Sequence, residues 1–125
     1  MTMVLWLVLI AAMLPVLCAG IAKFGSKEFD NRNPREWMGR LEGWRARANA
    51  AQSNTFEALP FFFIAVALAV YTNAPLDKLQ MLMGAWLLAR LAYLWFYIRD
   101  KSTLRSSVWA LSVGISIAIL FAGRI

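Results

Sequence analysis

The chain has 125 residues, of which 61% are apolar and 16% charged, against roughly 45–50% and 25% in soluble domains. So short a chain cannot hide that much apolar surface in a water-soluble fold, and disorder, which goes with few apolar residues, is excluded too. The single cysteine, Cys18, excludes a disulfide scaffold, and the lack of histidine removes imidazole catalysis and the commonest transition-metal ligand, so no metal site is expected.

The excess apolar surface points to a bilayer, and a membrane helix needs about 20 mostly apolar residues. The first such run covers residues 3–22, with Pro15 inside it. A cleaved signal peptide is the rival reading, but no basic stretch precedes the run and it is too long. The polar stretch over residues 24–37 reads as a loop, with Pro34 suited to the first turn of a following helix. Trp37 and Trp44 suit the headgroup level.

A second span is expected over about 42–76, its helix starting near Arg40 or Glu42. A third covers 79–98, interrupted only by Arg90, and a fourth 106–123. The fold class is therefore all-α: one domain over residues 1–125, a membrane four-helix bundle running up-down-up-down.

The charges fall unevenly. Lys23, Lys27, Arg32, Arg35, Arg40, Arg45 and Arg47 lie between spans one and two, and Arg99, Lys101 and Arg105 between spans three and four. Those two connections share a side, which the positive-inside rule places in the cytoplasm, with both termini opposite. The expected setting is a bacterial inner membrane or its equivalent. The net charge of +6 is then a topology signal, not a nucleic-acid footprint.

Polar residues at membrane depth are costly and normally face protein or water. On helix two, Arg47 and Asn54 are seven apart and Glu57 one turn further, which makes a polar stripe. Glu57 admits two readings, an ion pair with an arginine of another helix or a ligand contact. Trp86, Arg90, Tyr93 and Tyr97 share a face of helix three. Arg90 is read as neutralising Glu57, because two isolated buried charges cost more than one pair. The two tyrosines suit either an interfacial belt or the wall of a polar pocket. Arg105 stands at the start of the last span, against the helix dipole, where its fork of donors suits a carboxylate, a phosphate or a thiolate.

The segment from Arg47 through Asn54 and Glu57 to Pro60 resembles the second-helix signature of the MAPEG family, the membrane-associated proteins in eicosanoid and glutathione metabolism. Arg90, Tyr93, Tyr97 and Arg105 resemble its second signature. The resemblance covers essentially the whole chain. It implies a homotrimer with glutathione as co-substrate, bound between subunits near the cytoplasmic face. Arg47, Gln52, Asn54, Glu57, Tyr93 and Tyr97 would contact glutathione, and Arg105 would stabilise its thiolate. The implied activity is a glutathione-dependent transferase or peroxidase acting on lipophilic substrates that enter from the membrane lipid. The departure is Ala50, where glutathione-using members place a carboxylate-holding arginine. That gap favours the alternative, a non-catalytic lipid-binding or scaffold member of the same fold. A small multidrug-type transporter is a third reading, but it would want an acidic residue in the first span, which has none.

Overall fold

A computed structural model describes residues 1–124. Five helices follow one another: α1 (Thr2–Lys23), α2 (Pro34–Gly39), α3 (Gly43–Tyr71), α4 (Leu76–Ile98) and α5 (Ser102–Leu120). No strand occurs among the described residues. All but the short α2 are long and apolar enough to cross a membrane, so the chain is an integral, multi-pass membrane protein of the four-helix-bundle class.

The helix boundaries differ from the uncharged runs, for local reasons. Expected to reach residue 76, α3 stops at Tyr71. There the N–H of Asn73 bonds the carbonyl of Val70 and that of Ala74 bonds Ala69. Asn73 takes the left-handed conformation (φ 59°). This paired arrangement closes a helix by satisfying its last carbonyls. The next helix begins at Leu76, earlier than 79, because Asp77 lies in its first turn, where an acid complements the helix dipole. The same closure ends α4. Asp100 (φ 59°) bonds Tyr97, and Lys101 bonds the Phe96 carbonyl at 2.8 Å. The last helix spans 102–120, not 106–123, so Arg105 sits one turn inside it. Pro34 does start a helix, but a separate one: α2 ends before Gly43, whose positive φ of 62° turns the chain into α3.

Burial follows helical periodicity. On α3 the buried residues are Ala48, Ala51, Thr55, Leu59, Phe62, Ala65, Val66 and Ala69, which recur every three or four residues, with Ala65 and Val66 adjacent, in one stripe. On α4, Met81, Leu88 and Trp95 are exposed at seven-residue intervals. Leu79, Met83, Trp86, Arg90 and Tyr93 face inward. The core joins α1, α3, α4 and the end of α5, and Phe62 stacks on Trp86 with ring centroids 3.9 Å apart. The exposed apolar faces, such as Leu5, Trp6, Leu9 and Met13 of α1, suit lipid tails, not water.

Two arginines lock one end of the bundle. Arg45 donates from Nη1 to the Ala22 carbonyl near the end of α1 (2.7 Å). Arg47 donates from Nε to the Ile98 carbonyl at the end of α4 (3.1 Å). Both acceptors lie in a final helical turn, which carries partial negative charge, so a cation there is stabilising. The start of α3 and the ends of α1 and α4 therefore lie together.

Candidate functional site

The stripe of α3 that faces the core has polar residues on both flanks. At about 100° per residue, Asn54 and Arg47 project to one side of Thr55 and Gln52 to the other. Glu57, about 200° from Thr55, points away from the core. The side chains agree: Thr55 is buried, Asn54 and Gln52 are half-buried, and Glu57 is exposed.

The Asn54 flank meets α4 through Arg90, which is only 2% exposed. Its Nη2 donates to Asn54 Oδ1 at 2.8 Å and to Thr55 Oγ1 at 3.2 Å, and its Cζ lies 4.2 Å from the centre of the Tyr93 ring. Nε and Nη1 make no hydrogen bond. The expected Arg90–Glu57 ion pair is not formed among the described residues. Asn54 and Thr55 occupy the guanidinium, and Glu57, one turn beyond Asn54, is exposed and makes no ion pair with it. The one ion pair among the described residues joins Glu36 and Arg40.

A guanidinium can only donate, so Asn54 must turn its oxygen inward to Arg90 and its NH₂ outward. That amide opens on a cleft of about 240 Å³ lined by Asn54, Tyr93, Tyr97, Arg105, Ser106 and Trp109. The two phenol rings meet edge to face, 5.6 Å between centroids, and the Arg105 guanidinium stands 4.5 Å from the Tyr97 ring. A ladder of cation, phenol, phenol and cation thus runs from Arg90 to Arg105. No acid lines the cleft, so the polar groups that converge there favour an anionic, acceptor-rich guest.

Of the residues singled out from sequence, the structure brings Asn54, Tyr93, Tyr97 and Arg105 into this cleft. It does not bring in Arg47, which is engaged on Ile98, nor Gln52, which lines a second cleft against α1 and α2. Glu57 stays on the outer face. Three residues escaped the sequence reading. Ser106 and Trp109 line the cleft beside Arg105, and the spacing of Trp109, four residues on, was the available signal. Thr55 anchors Arg90 while its own hydroxyl donates to the Ala51 carbonyl (2.7 Å). A hydroxyl inside an apolar stripe was its signal.

The MAPEG family model matches residues 3–125. The chain belongs to the MAPEG family. No curated protein and no solved structure matches it. Membership makes this a membrane protein of a family associated with eicosanoid and glutathione metabolism. The Asn54 cleft is small and lined by neutral and cationic side chains. Its volume lies below the roughly 300–1,000 Å³ of small-molecule sites, and its donors suit a thiolate and a peptide carbonyl.

Proposed function

We propose that this MAPEG protein is a membrane-bound, glutathione-dependent transferase or peroxidase acting on lipophilic electrophiles. The observation that carries the reading is the acid-free cleft in which the Asn54 amide and the Arg105 guanidinium converge beside Tyr93 and Tyr97. A free thiol has a pKa near 8.5 and is mostly protonated at neutral pH, and an adjacent guanidinium lowers that value. In conjugation the thiolate lone pair forms the new S–C bond and the displaced group leaves with the electron pair. No side-chain base is needed, since the proton is lost on binding. Glu57 and Gln52 complete the glutathione contacts in this reading, and Arg47 holds the end of α4 that carries Tyr97.

The proposed assembly is a homotrimer with the site between subunits. Two features support it. The cleft of one protomer lies below the usual volume of small-molecule sites, and Glu57 stands exposed partway along a membrane-crossing helix, where an uncovered carboxylate is costly. A second subunit would supply the missing wall and cover Glu57. The up-down-up-down course, with the first and third connections cytoplasmic, is supported by the Arg45 and Arg47 contacts that gather the ends of α1 and α4 at the start of α3.

Calorimetric titration of the detergent-solubilised protein with glutathione tests the reading. Saturable binding with turnover of a lipophilic electrophile supports it, and no binding sinks it. Ala50 favours one other reading, a lipid-binding member without catalysis, for which co-purified lipid without glutathione binding is the expected result.

A further inference from the structure

We infer that an apolar groove on the outer flank of α1 holds one acyl chain of a membrane lipid. The groove, about 270 Å³, is lined by Leu17, Gly20, Ile21, Phe24 and Trp44 and by no charged side chain. It shares no lining residue with the Asn54 cleft or with the cleft that holds Gln52. Leu17, Gly20, Ile21 and Phe24 are spaced three, one and three apart, so they form one strip of the helix. Gly20 makes that strip concave. It is not among the glycines with positive φ, and a Cβ placed there would meet nothing within 4 Å. Neither backbone conformation nor close helix packing therefore requires a glycine, and its lack of a side chain leaves the groove open. The far wall is held in place. The Arg45 guanidinium lies 4.4 Å from the centre of the Trp44 ring and donates to the Ala22 carbonyl at 2.7 Å.

Position and length identify the occupant. Lys23 is the last residue of α1 and stands where the uncharged run ends, so the groove opens at the bilayer surface. Away from that surface the strip continues through Met13, Ile10 and Trp6, all exposed. From Phe24 to Met13 the helix axis covers about 16 Å at 1.5 Å per residue. That is close to half of the roughly 30 Å hydrocarbon core, the depth of one leaflet and of one acyl chain. The alternation of threes and fours is also that of a helix-pairing seam. Bulk decides against a helix, from a second copy or from another protein. Helix pairing in lipid relies on small residues that let backbones approach, whereas this strip sets Trp6, Ile10, Met13, Leu17 and Phe24 around one glycine. A flexible chain follows such an uneven surface and fills the gap at Gly20.

The test uses the purified protein in phosphatidylcholine bilayers, with a small fraction of the lipid carrying a diazirine near the ester end of one acyl chain. Labelled residues are read by mass spectrometry after photolysis. Trp95, exposed near the end of α4, reports contact with bulk lipid at a similar level. Labelling over residues 17–24 should exceed that of Trp95 by about threefold or more, because the groove walls add contacts that bulk lipid lacks. Gly20→Leu fills the groove and should remove the excess while Trp95 labelling stays. Gly20→Ala adds only a methyl and should keep most of it. Trp44→Leu removes the far wall and should also lose the excess, so the result does not hang on one variant. Thermal unfolding separates filling from misfolding, since Gly20→Leu adds a good helix former and should unfold no lower than wild type. Equal labelling of the groove and Trp95 overturns the site, and so does an excess that survives Gly20→Leu. A groove labelled only after detergent dilution separates the protomers would be covered by a second copy, which overturns it too. Glutathione takes no part in the measurement, so the outcome is independent of the proposed activity.

Discussion

Arg90 reaches from α4 to α3 and donates to Asn54 Oδ1 at 2.8 Å, which fixes which end of the Asn54 amide faces the cleft. The bond matters more for orientation than for stability. A buried guanidinium with two unpartnered nitrogens is a poor stabiliser, and an apolar residue of similar volume is often tolerated in such a place. Arg90→Met is therefore expected to leave the melting temperature within a few degrees of wild type. It should weaken glutathione binding about tenfold, because a bond to a charged donor that holds Asn54 is gone. Adding Asn54→Ala to Arg90→Met should cost little more, since both changes disable one unit. Unchanged affinity in Arg90→Met would refute the orienting role.

Arg105 stands 4.5 Å from the Tyr97 ring in a cleft without acids. If it stabilises the thiolate, Arg105→Ala should lower kcat by roughly two to three orders of magnitude, as loss of a transition-state donor does. The pH at which activity is half-maximal should rise by about one unit or more toward that of a free thiol. Arg105→Lys keeps the charge without the fork and should fall between the two. A pH profile that does not move in Arg105→Ala would mean that the ionising group lies elsewhere.

Glu57 is exposed on the outer face of α3. A neighbouring subunit that covers it should also shield it from a lipophilic carbodiimide. Labelling is expected to be slow in the intact assembly and several-fold faster once detergent dilution separates the protomers. The same samples should show three copies of the 14.1 kDa chain by native mass spectrometry before dilution. Fast labelling in a sample with trimer mass would place Glu57 outside the interface.

Asp100 closes α4 in a left-handed conformation (φ 59°), which costs an L-residue roughly 1–2 kcal/mol and glycine nothing comparable. Asp100→Gly should keep both closing bonds and either stabilise the fold by up to about 1 kcal/mol or leave it unchanged, as chain entropy offsets the relief. Asp100→Val should destabilise it by more than that. Thermal unfolding followed by circular dichroism decides the order of the three proteins.

Much of this arrangement was legible in the residues, because a bilayer constrains a chain so strongly. Apolar runs, one of them broken only by Arg90, located four helices long and apolar enough to cross a membrane, and the spacing of Arg90, Tyr93 and Tyr97 placed them on one face. What failed was the inference that two charges inside the bundle must pair because isolated ones cost more. Glu57 is set about 200° from Thr55 by the rotation of α3, while Arg90 is held by Asn54 and Thr55, and the cost of isolated charges carries no information about rotation. Helix ends were misjudged for a similar reason. Runs free of charge measure hydrocarbon thickness, whereas the helices end where Asn73 and Asp100 close them. The division of Gln52 and Asn54 between two clefts follows from their two-residue spacing, which separates them by about 200°.

Arg47 offers the sharpest separation between a ligand contact and a structural one. The family resemblance places it among glutathione contacts, yet its Nε is bound to the Ile98 carbonyl at 3.1 Å and it does not line the Asn54 cleft. As a clamp it neutralises the negative end of α4, which is worth about 1–2 kcal/mol in a partly buried setting. Arg47→Ala should then lower stability by about that amount. Glutathione affinity, measured well below the melting temperature, should change by no more than about twofold. Arg47→Lys should recover part of the stability, because an ammonium still complements the helix end. The opposite pattern, intact stability with a large loss of glutathione affinity, would return Arg47 to the binding site and require its guanidinium to leave Ile98 when the ligand arrives.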